Sequence, residues 1–106
     1  MTMPALPRRP LGRTGLEVSA VCAGCAPLAS MPDTFGYAVP EAQALATLRA
    51  LFRSPITFID TAAAYGDGES ERRIGMVLRE LGGLPPGYVL ATKADRDLAT
   101  RRFDAD

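Results

Sequence analysis

Three short apolar runs set the terms for this chain. They are Ala20-Val21-Cys22-Ala23-Gly24, Ile56-Thr57-Phe58-Ile59-Asp60 and Tyr88-Val89-Leu90-Ala91-Thr92, the last leading into Lys93. Their small, β-branched and aromatic residues, bounded by Gly and Pro, are the pattern of strands. Between them lie two segments of helical spacing. The first opens at Pro40-Glu41, with Pro at the first position and an acid in the first turn, and carries Leu45, Leu48 and Phe52 before Pro55. The second follows Gly66 and Gly68, carries Ile74, Val77, Leu78 and Leu81, and stops at Gly82-Gly83, where Pro85-Pro86 prevents resumption. Strands alternating with helices predict a parallel sheet, and the near-continuously apolar first strand is expected to be buried on both faces. The strand ends fall near residues 24, 60 and 93, intervals of 36 and 33 residues. Eight such units need roughly 270 residues, the usual size of a (β/α)8 barrel. This chain of 106 residues holds three.

Ahead of the first strand, Gly12-Arg13-Thr14-Gly15 sits between Leu11 and the alternating run Leu16-Glu17-Val18-Ser19, which reads as a hairpin turning at the glycines. The fold expected is therefore α/β: the N-terminal portion of a (β/α)8 TIM barrel, about three βα units plus a leading β-hairpin. Residues 1–9, with Pro4 and Pro7, are expected as an extended leading segment, 10–94 as the hairpin and three strands, and 95–106 as a loop or tail. Residues 27–39 carry Pro, Gly, Asp and aromatics without a period and read as a long loop.

Composition narrows the chemistry. Twelve basic and twelve acidic residues leave no net charge, so nothing in it favours nucleic acid or an anionic membrane surface as a partner. There is no His, which removes serine-triad and zinc-hydrolase readings, and no metal is expected. Cys22 and Cys25 form a C-x-x-C that is open to two readings, a redox pair or two small residues at the end of a buried strand. Ala26-Pro27 follows where a redox motif usually enters a helix, which favours the second. The longest apolar stretch, 20–29, is too short and too broken to span a membrane. Arg8, Arg9 and Arg13 precede it, but Glu17 and the distance from Met1 argue against a signal peptide, so a cytoplasmic location is expected.

The basic residues are eleven Arg and one Lys, Lys93. Alternation puts Ile56, Phe58 and Asp60 on one face of the second strand, and Val89, Ala91 and Lys93 on one face of the third. If those faces point into a barrel, Asp60 and Lys93 meet at its C-terminal rim, where barrel enzymes place catalysis, as a buried ion pair in which each is the other's partner. Tyr65 lies in the loop rising from the same rim. A phenol beside an ammonium loses its proton more readily than at its ordinary pKa of about 10, which makes Tyr65 a candidate general acid for a carbonyl oxygen. Singly, Asp60 also reads as a cap, Lys93 as a surface cation and Tyr65 as packing. Their joint placement favours the cluster.

The run Phe58-Ile59-Asp60-Thr61-Ala62, then Tyr65-Gly66, Ser70-Glu71 and Ile74-Gly75, resembles the aldo-keto reductase signature. Pro10 to Ser19 resembles that family's N-terminal hairpin, and Leu90-Ala91-Thr92-Lys93 is similar to its third strand with the catalytic lysine. Tyr65 to Gly75, with Gly24 to Leu28, looks most like the sugar-oxidising branch, the aldose and fucose dehydrogenases. The resemblance implies an oxidoreductase that uses NADP or NAD at the C-terminal mouth of a barrel and moves a hydride between nicotinamide and a small-molecule carbonyl or sugar lactol. It implies Tyr65 as proton donor or acceptor, Lys93 as the group that activates it, and Asp60 as support for Lys93. It assigns Gly24 and Cys25, with Asp60, to backbone and side chain near the nicotinamide ribose. Phe35 and Tyr37 are candidates to wall a substrate pocket or simply to pack.

The family's fourth catalytic residue is a His on the fourth strand, and its phosphate- and adenine-binding loops follow the seventh and eighth. None of these has a counterpart in this sequence, so the chain is expected to be truncated and, alone, to lack a complete dinucleotide site. Gly66-Asp67-Gly68 ahead of a helix is a candidate for holding a phosphate on the helix N-terminus. The unpaired strand edges also leave open a catalytically inactive barrel fragment, an interaction module, or self-association through those edges.

Overall fold

The computed structural model describes residues 5–94, 99, 100 and 102. Strands β1 (Arg8–Pro10) and β2 (Glu17–Ser19) form an antiparallel hairpin in which Arg8 faces Ser19 and Pro10 faces Glu17. Its turn is closed by the Thr14 hydroxyl, which donates to the Leu11 carbonyl (2.7 Å) and accepts from the Leu16 N–H (3.1 Å). The hairpin thus starts inside the segment expected as a leader, because the ladder runs on through the Ala20 N–H, which donates to the Pro7 carbonyl at 2.8 Å.

Strands β3 (Cys22–Gly24), β4 (Phe58–Asp60) and β5 (Val89–Ala91) make a parallel sheet in that order. Gly24 lies opposite Asp60, and Asp60 opposite Ala91. Between β3 and β4 the chain forms a 3-10 turn (Pro27–Ala29), a short helix α1 (Pro32–Phe35) and the long helix α2 (Glu41–Leu51). Two helical turns therefore interrupt the region expected as loop. The short runs lack an apolar period because each is a single turn started by a proline.

Helix α2 begins after Pro40 and buries Ala44, Leu45 and Leu48, and the Phe52 N–H closes it onto the Leu48 carbonyl at 3.0 Å. Helix α3 (Glu69–Leu81) buries Ser70, Arg73, Ile74 and Val77 and ends at Gly82, whose positive φ of 79° suits a residue without a Cβ. The two helices cover one face of the sheet. Leu45, Leu48, Phe52, Ile74 and Val77 close around Ile59 and Cys25 to form the core. Arg49 makes a bidentate pair with Glu80 (2.8 and 2.7 Å), and Arg72 bonds Glu41, linking α2 to α3 again at the surface.

Two expectations of burial are corrected, the first because the helices cover one face only. The first strand of the parallel sheet is not buried on both sides: Cys22 and Gly24 lie exposed opposite the helices, and Val21 just before them is 49% exposed. Leu81, expected on the apolar stripe of α3, is 48% exposed at the helix's last position. An apolar groove of about 470 Å³ runs between β3 and the C-terminal half of α2, lined by Ala23, Leu28, Ala50, Leu51 and Ile56. Of the expected tail at 95–106, residues 95–98, 101 and 103–106 lie outside the described residues.

The hairpin is tied to the sheet by a reciprocal pair of bonds. The Ser19 N–H donates to Thr57 Oγ1 (3.1 Å), and the Thr57 N–H donates to Ser19 Oγ (2.9 Å), both buried. Replacing Ser19 with Ala leaves the Thr57 N–H without its acceptor, which should cost about 1–3 kcal/mol. Urea unfolding followed by circular dichroism measures that loss, and an unchanged transition would remove this tie from the account.

Candidate active site

The parallel register builds the site. Ile59 points into the helices, so Phe58 and Asp60 on either side of it point the other way. Asp60 pairs with Ala91, and Lys93, two residues on, keeps the same parity. Lys93 reaches back along the strand end and its Nζ donates to Asp60 Oδ2 (2.9 Å) and Oδ1 (3.2 Å), to the Thr61 carbonyl (2.9 Å) and to Tyr65 Oη (3.2 Å). An ammonium has three N–H groups, and here three neighbours accept them. Nζ also sits 4.8 Å from the centre of the Tyr65 ring.

The hydrogen bond to the Asp60 carboxylate is the main reason the Lys93 ammonium is held above the usual lysine range, with a smaller contribution from Tyr65. Lys93 is therefore charged at neutral pH and stays so well into alkali. The pair is not buried as expected. The Lys93 side chain is 46% and the Asp60 side chain 34% exposed, because they lie on the sheet face opposite α2 and α3. Tyr65 Oη accepts from Lys93, which leaves its own proton to be given to another acceptor.

The loop that carries Tyr65 is shaped by close packing. Gly66 has φ +62°, and a Cβ there would stand 2.7 Å from Ala29 Cβ and 3.2 Å from the Ala29 carbonyl oxygen. Only glycine lets the loop lie against the 3-10 turn. Gly68 follows with φ +97° at the N-terminus of α3. Arg73, 7% exposed, donates from Nη1 to the carbonyls of Leu28 (2.7 Å) and Val39 (3.0 Å), and so fastens the region between β3 and α2 onto α3. Its Nε lies 3.3 Å from Glu69 Oε2, an ion-pair distance, without the alignment of a hydrogen bond.

The structure treats Gly24 and Cys25 differently. Gly24 is exposed at the end of β3, across from Asp60, with open space where a Cβ would be. Cys25 turns its side chain into the core; its N–H donates to the Asp60 carbonyl (2.9 Å), and its carbonyl accepts from Ser70 Oγ (3.2 Å). Cys25 therefore has no side chain to offer a ligand. Phe35 and Tyr37 are exposed and lean on one another, with ring centres 6.4 Å apart. Among the described residues, no group of His, Cys, Asp and Glu could hold a metal ion, and no helix is long and apolar enough to cross a membrane.

Residues to which sequence reading gave no role, three of them inside the signature run, complete the site. They are Thr61, which supplies a carbonyl to Lys93; Ser70, bonded to Thr61; Glu71, whose Oε2 accepts from the Thr92 hydroxyl at 2.7 Å; and Arg73. Their signal was polar residues at positions 70 and 73 of the same helical stripe as Ile74 and Val77.

The aldo/keto reductase family model matches residues 23–104, a stretch containing every residue of this cluster. The chain belongs to the aldo/keto reductase family. It is 46% identical over 88 residues to the L-galactose dehydrogenase of Arabidopsis thaliana, covering 83% of this chain and 26% of that protein. It is 40% identical over 103 residues to the pyridoxal 4-dehydrogenase of Microbacterium luteolum, covering 96% of this chain and 28% of that protein. Among solved structures it superimposes on a holo-form aldo-keto reductase from Bacillus halodurans with a TM-score of 0.67 at 28% identity, over 85% of this chain and 26% of that one. A thermostable aldo-keto reductase in complex with the inhibitor epalrestat gives 0.63 at 25% identity, over 82% and 30%. The chain thus spans little more than a quarter of the length of the relatives it matches. Its hairpin, three parallel strands and two long helices are the N-terminal portion of the aldo/keto reductase barrel.

Both cysteines are free, and they differ in access: Cys22 is exposed and Cys25 buried. Burial pushes the Cys25 thiol up from 9.0 to about 11. The advantage of keeping it neutral is present below pH 9.0 and is lost as pH climbs towards about 11, where the folded state too must ionise. In neutral buffer iodoacetamide should therefore add once, at Cys22, and reach Cys25 only after denaturation, as intact mass and peptide mapping would show. Equal labelling of the two thiols would contradict the placement of Cys25.

Proposed function

We propose that this chain carries the proton-handling half of an NAD(P)-dependent oxidoreductase acting on a small carbonyl compound or sugar lactol. The observation that carries the reading is the Lys93 ammonium, held by Asp60 and within 3.2 Å of Tyr65 Oη. In it, Tyr65 gives a proton to the substrate oxygen when a carbonyl is reduced, and takes it back when a lactol is oxidised. Lys93 supplies a fixed positive charge beside the phenol oxygen, which stabilises negative charge developing there as the proton leaves. Asp60 keeps that charge in place and in one orientation. Half-exposure of the cluster gives a substrate oxygen room to approach Tyr65.

Of the residues present, the exposed Gly24 backbone beside Asp60 suits a flat ring lying against the sheet end, and Cys22 on the same strand is also open. Gly24 and Asp60 would border the nicotinamide end of NADP or NAD; when bound, that group supplies or accepts the hydride. Cys25 contributes to this border only through the main chain, which anchors the Asp60 carbonyl. The likeness to L-galactose dehydrogenase favours a sugar lactol, oxidised to a lactone, as the substrate class, and the similarity to pyridoxal 4-dehydrogenase keeps an aromatic aldehyde or its hydrate within range.

A chimera tests the assignment. With the matching segment of L-galactose dehydrogenase replaced by residues 23–94 of this chain, the hybrid should oxidise L-galactose. Tyr65→Phe in the hybrid should lower kcat by at least about 100-fold, the usual weight of a positioned general acid, with little change in cofactor Kd. A Tyr65→Phe hybrid that turns over at the parent's rate would refute the role given to the phenol.

A further inference from the structure

Lys93 takes one of its three acceptors from the main chain, and residue 61, which offers it, is held on every side. The Thr61 N–H donates to the Ala91 carbonyl at 2.9 Å. Its side chain is buried, with Oγ1 2.6 Å from Ser70 Oγ. A hydroxyl carries one hydrogen. Ser70 gives its own to the Cys25 carbonyl at 3.2 Å, so the hydrogen between the two hydroxyls must come from Thr61. The bonds therefore run one way: Thr61 Oγ1–H to Ser70 Oγ, then Ser70 Oγ–H to the Cys25 carbonyl. With its N–H and side chain both fixed, Thr61 has little freedom left about its backbone, and its carbonyl faces Lys93 Nζ at 2.9 Å.

The next residue of α3 makes a second tie. Glu71 accepts from the hydroxyl of Thr92, the residue immediately before Lys93. Neighbouring residues in the first turn of α3 thus hold both strand ends that deliver the site, Thr61 after β4 and Thr92 after β5.

We propose that Ser70 is a positioning residue: by ordering the Thr61–Ser70–Cys25 relay it keeps the Thr61 carbonyl on the Lys93 ammonium, and so sets where the ammonium stands against Tyr65. This deepens the assignment of Asp60, Tyr65 and Lys93 and rests on it. Ser70 touches no reacting atom. Its buried hydroxyl sits on the core face of the helix, between Thr61 and the Cys25 carbonyl.

Lys93 is the sequence's single lysine, so isotope-labelled lysine gives one side-chain resonance that reports on this site alone. Among the described residues, the charged and titratable groups facing it are Asp60 and Tyr65 in direct contact and Cys22 at longer range across the sheet, while Glu71 acts through Thr92. The experiment titrates that resonance in the wild-type chain and in Ser70→Ala, Thr61→Val and Thr61→Ser, with urea unfolding of each. The wild-type midpoint should stand above the ordinary lysine value of about 10.4. Ser70→Ala and Thr61→Val should lower it by about 0.5, the scale of a weakened hydrogen bond to an exposed charge. Thr61→Ser, which keeps the hydroxyl, should leave it in place. A raised midpoint identical in all four proteins, whatever their stability, would overturn the relay and leave Ser70 a packing residue. An ordinary midpoint in the wild type would overturn the ammonium contacts themselves and the proposed function with them.

Discussion

The site depends on the register of the central strand, which the burial of Ile59 fixes. Lys93 stands at the end of a strand with no anion of its own on β5, and the parallel pairing of β4 and β5 supplies one by placing Asp60 opposite Ala91. Shifting that pairing by one residue would turn Asp60 towards Leu45 and Ile74 and bring Ile59 to the open face, so burial of Ile59 fixes the register that builds the ion pair. Packing energy and chemical geometry are joined at one strand. The core holds Ile59 in place, and Asp60 follows.

The rest of the molecule supports that arrangement from outside. The hairpin grips Thr57 just before β4 through Ser19, and the first turn of α3 grips Thr61 just after it through Ser70. Arg73 and Gly66 then draw the region around the 3-10 turn against the Tyr65 loop, the first by donating to its carbonyls, the second by having no Cβ to keep it away. The hydroxyls of Ser19, Thr57, Thr61 and Ser70 are buried with their partners, as the cost of an unmade buried hydrogen bond requires, while the buried Nε of Arg73 has only its ion pair with Glu69.

Much of this was legible in the residues. The order of strands and helices came from apolar runs and helical spacing, and the cluster of Asp60, Tyr65 and Lys93 from strand parity and the sequence's only lysine. Burial was harder to read. The run from Ala20 to Gly24 looks the same whether one or both faces of the sheet are covered, and here only the helices' side is. Leu81 continues the apolar stripe of α3 one turn past the buried Val77 and is exposed, since period tells direction but not burial. The roles of Thr61, Ser70 and Arg73 were not read because they depend on contacts across 9 to 45 residues of chain, and on carbonyls that no side-chain pattern reveals.

The central claim is that Lys93 and Tyr65 act as a unit, the charge of one giving the proton chemistry of the other its driving force. A double-mutant cycle in the L-galactose dehydrogenase hybrid tests it most directly, comparing Tyr65→Phe, Lys93→Met and the double variant. The account predicts that the double variant is no slower than Tyr65→Phe within about threefold, because an ammonium has nothing left to act on once the phenol is gone. Losses in kcat that multiply would show two independent contributions and contradict it.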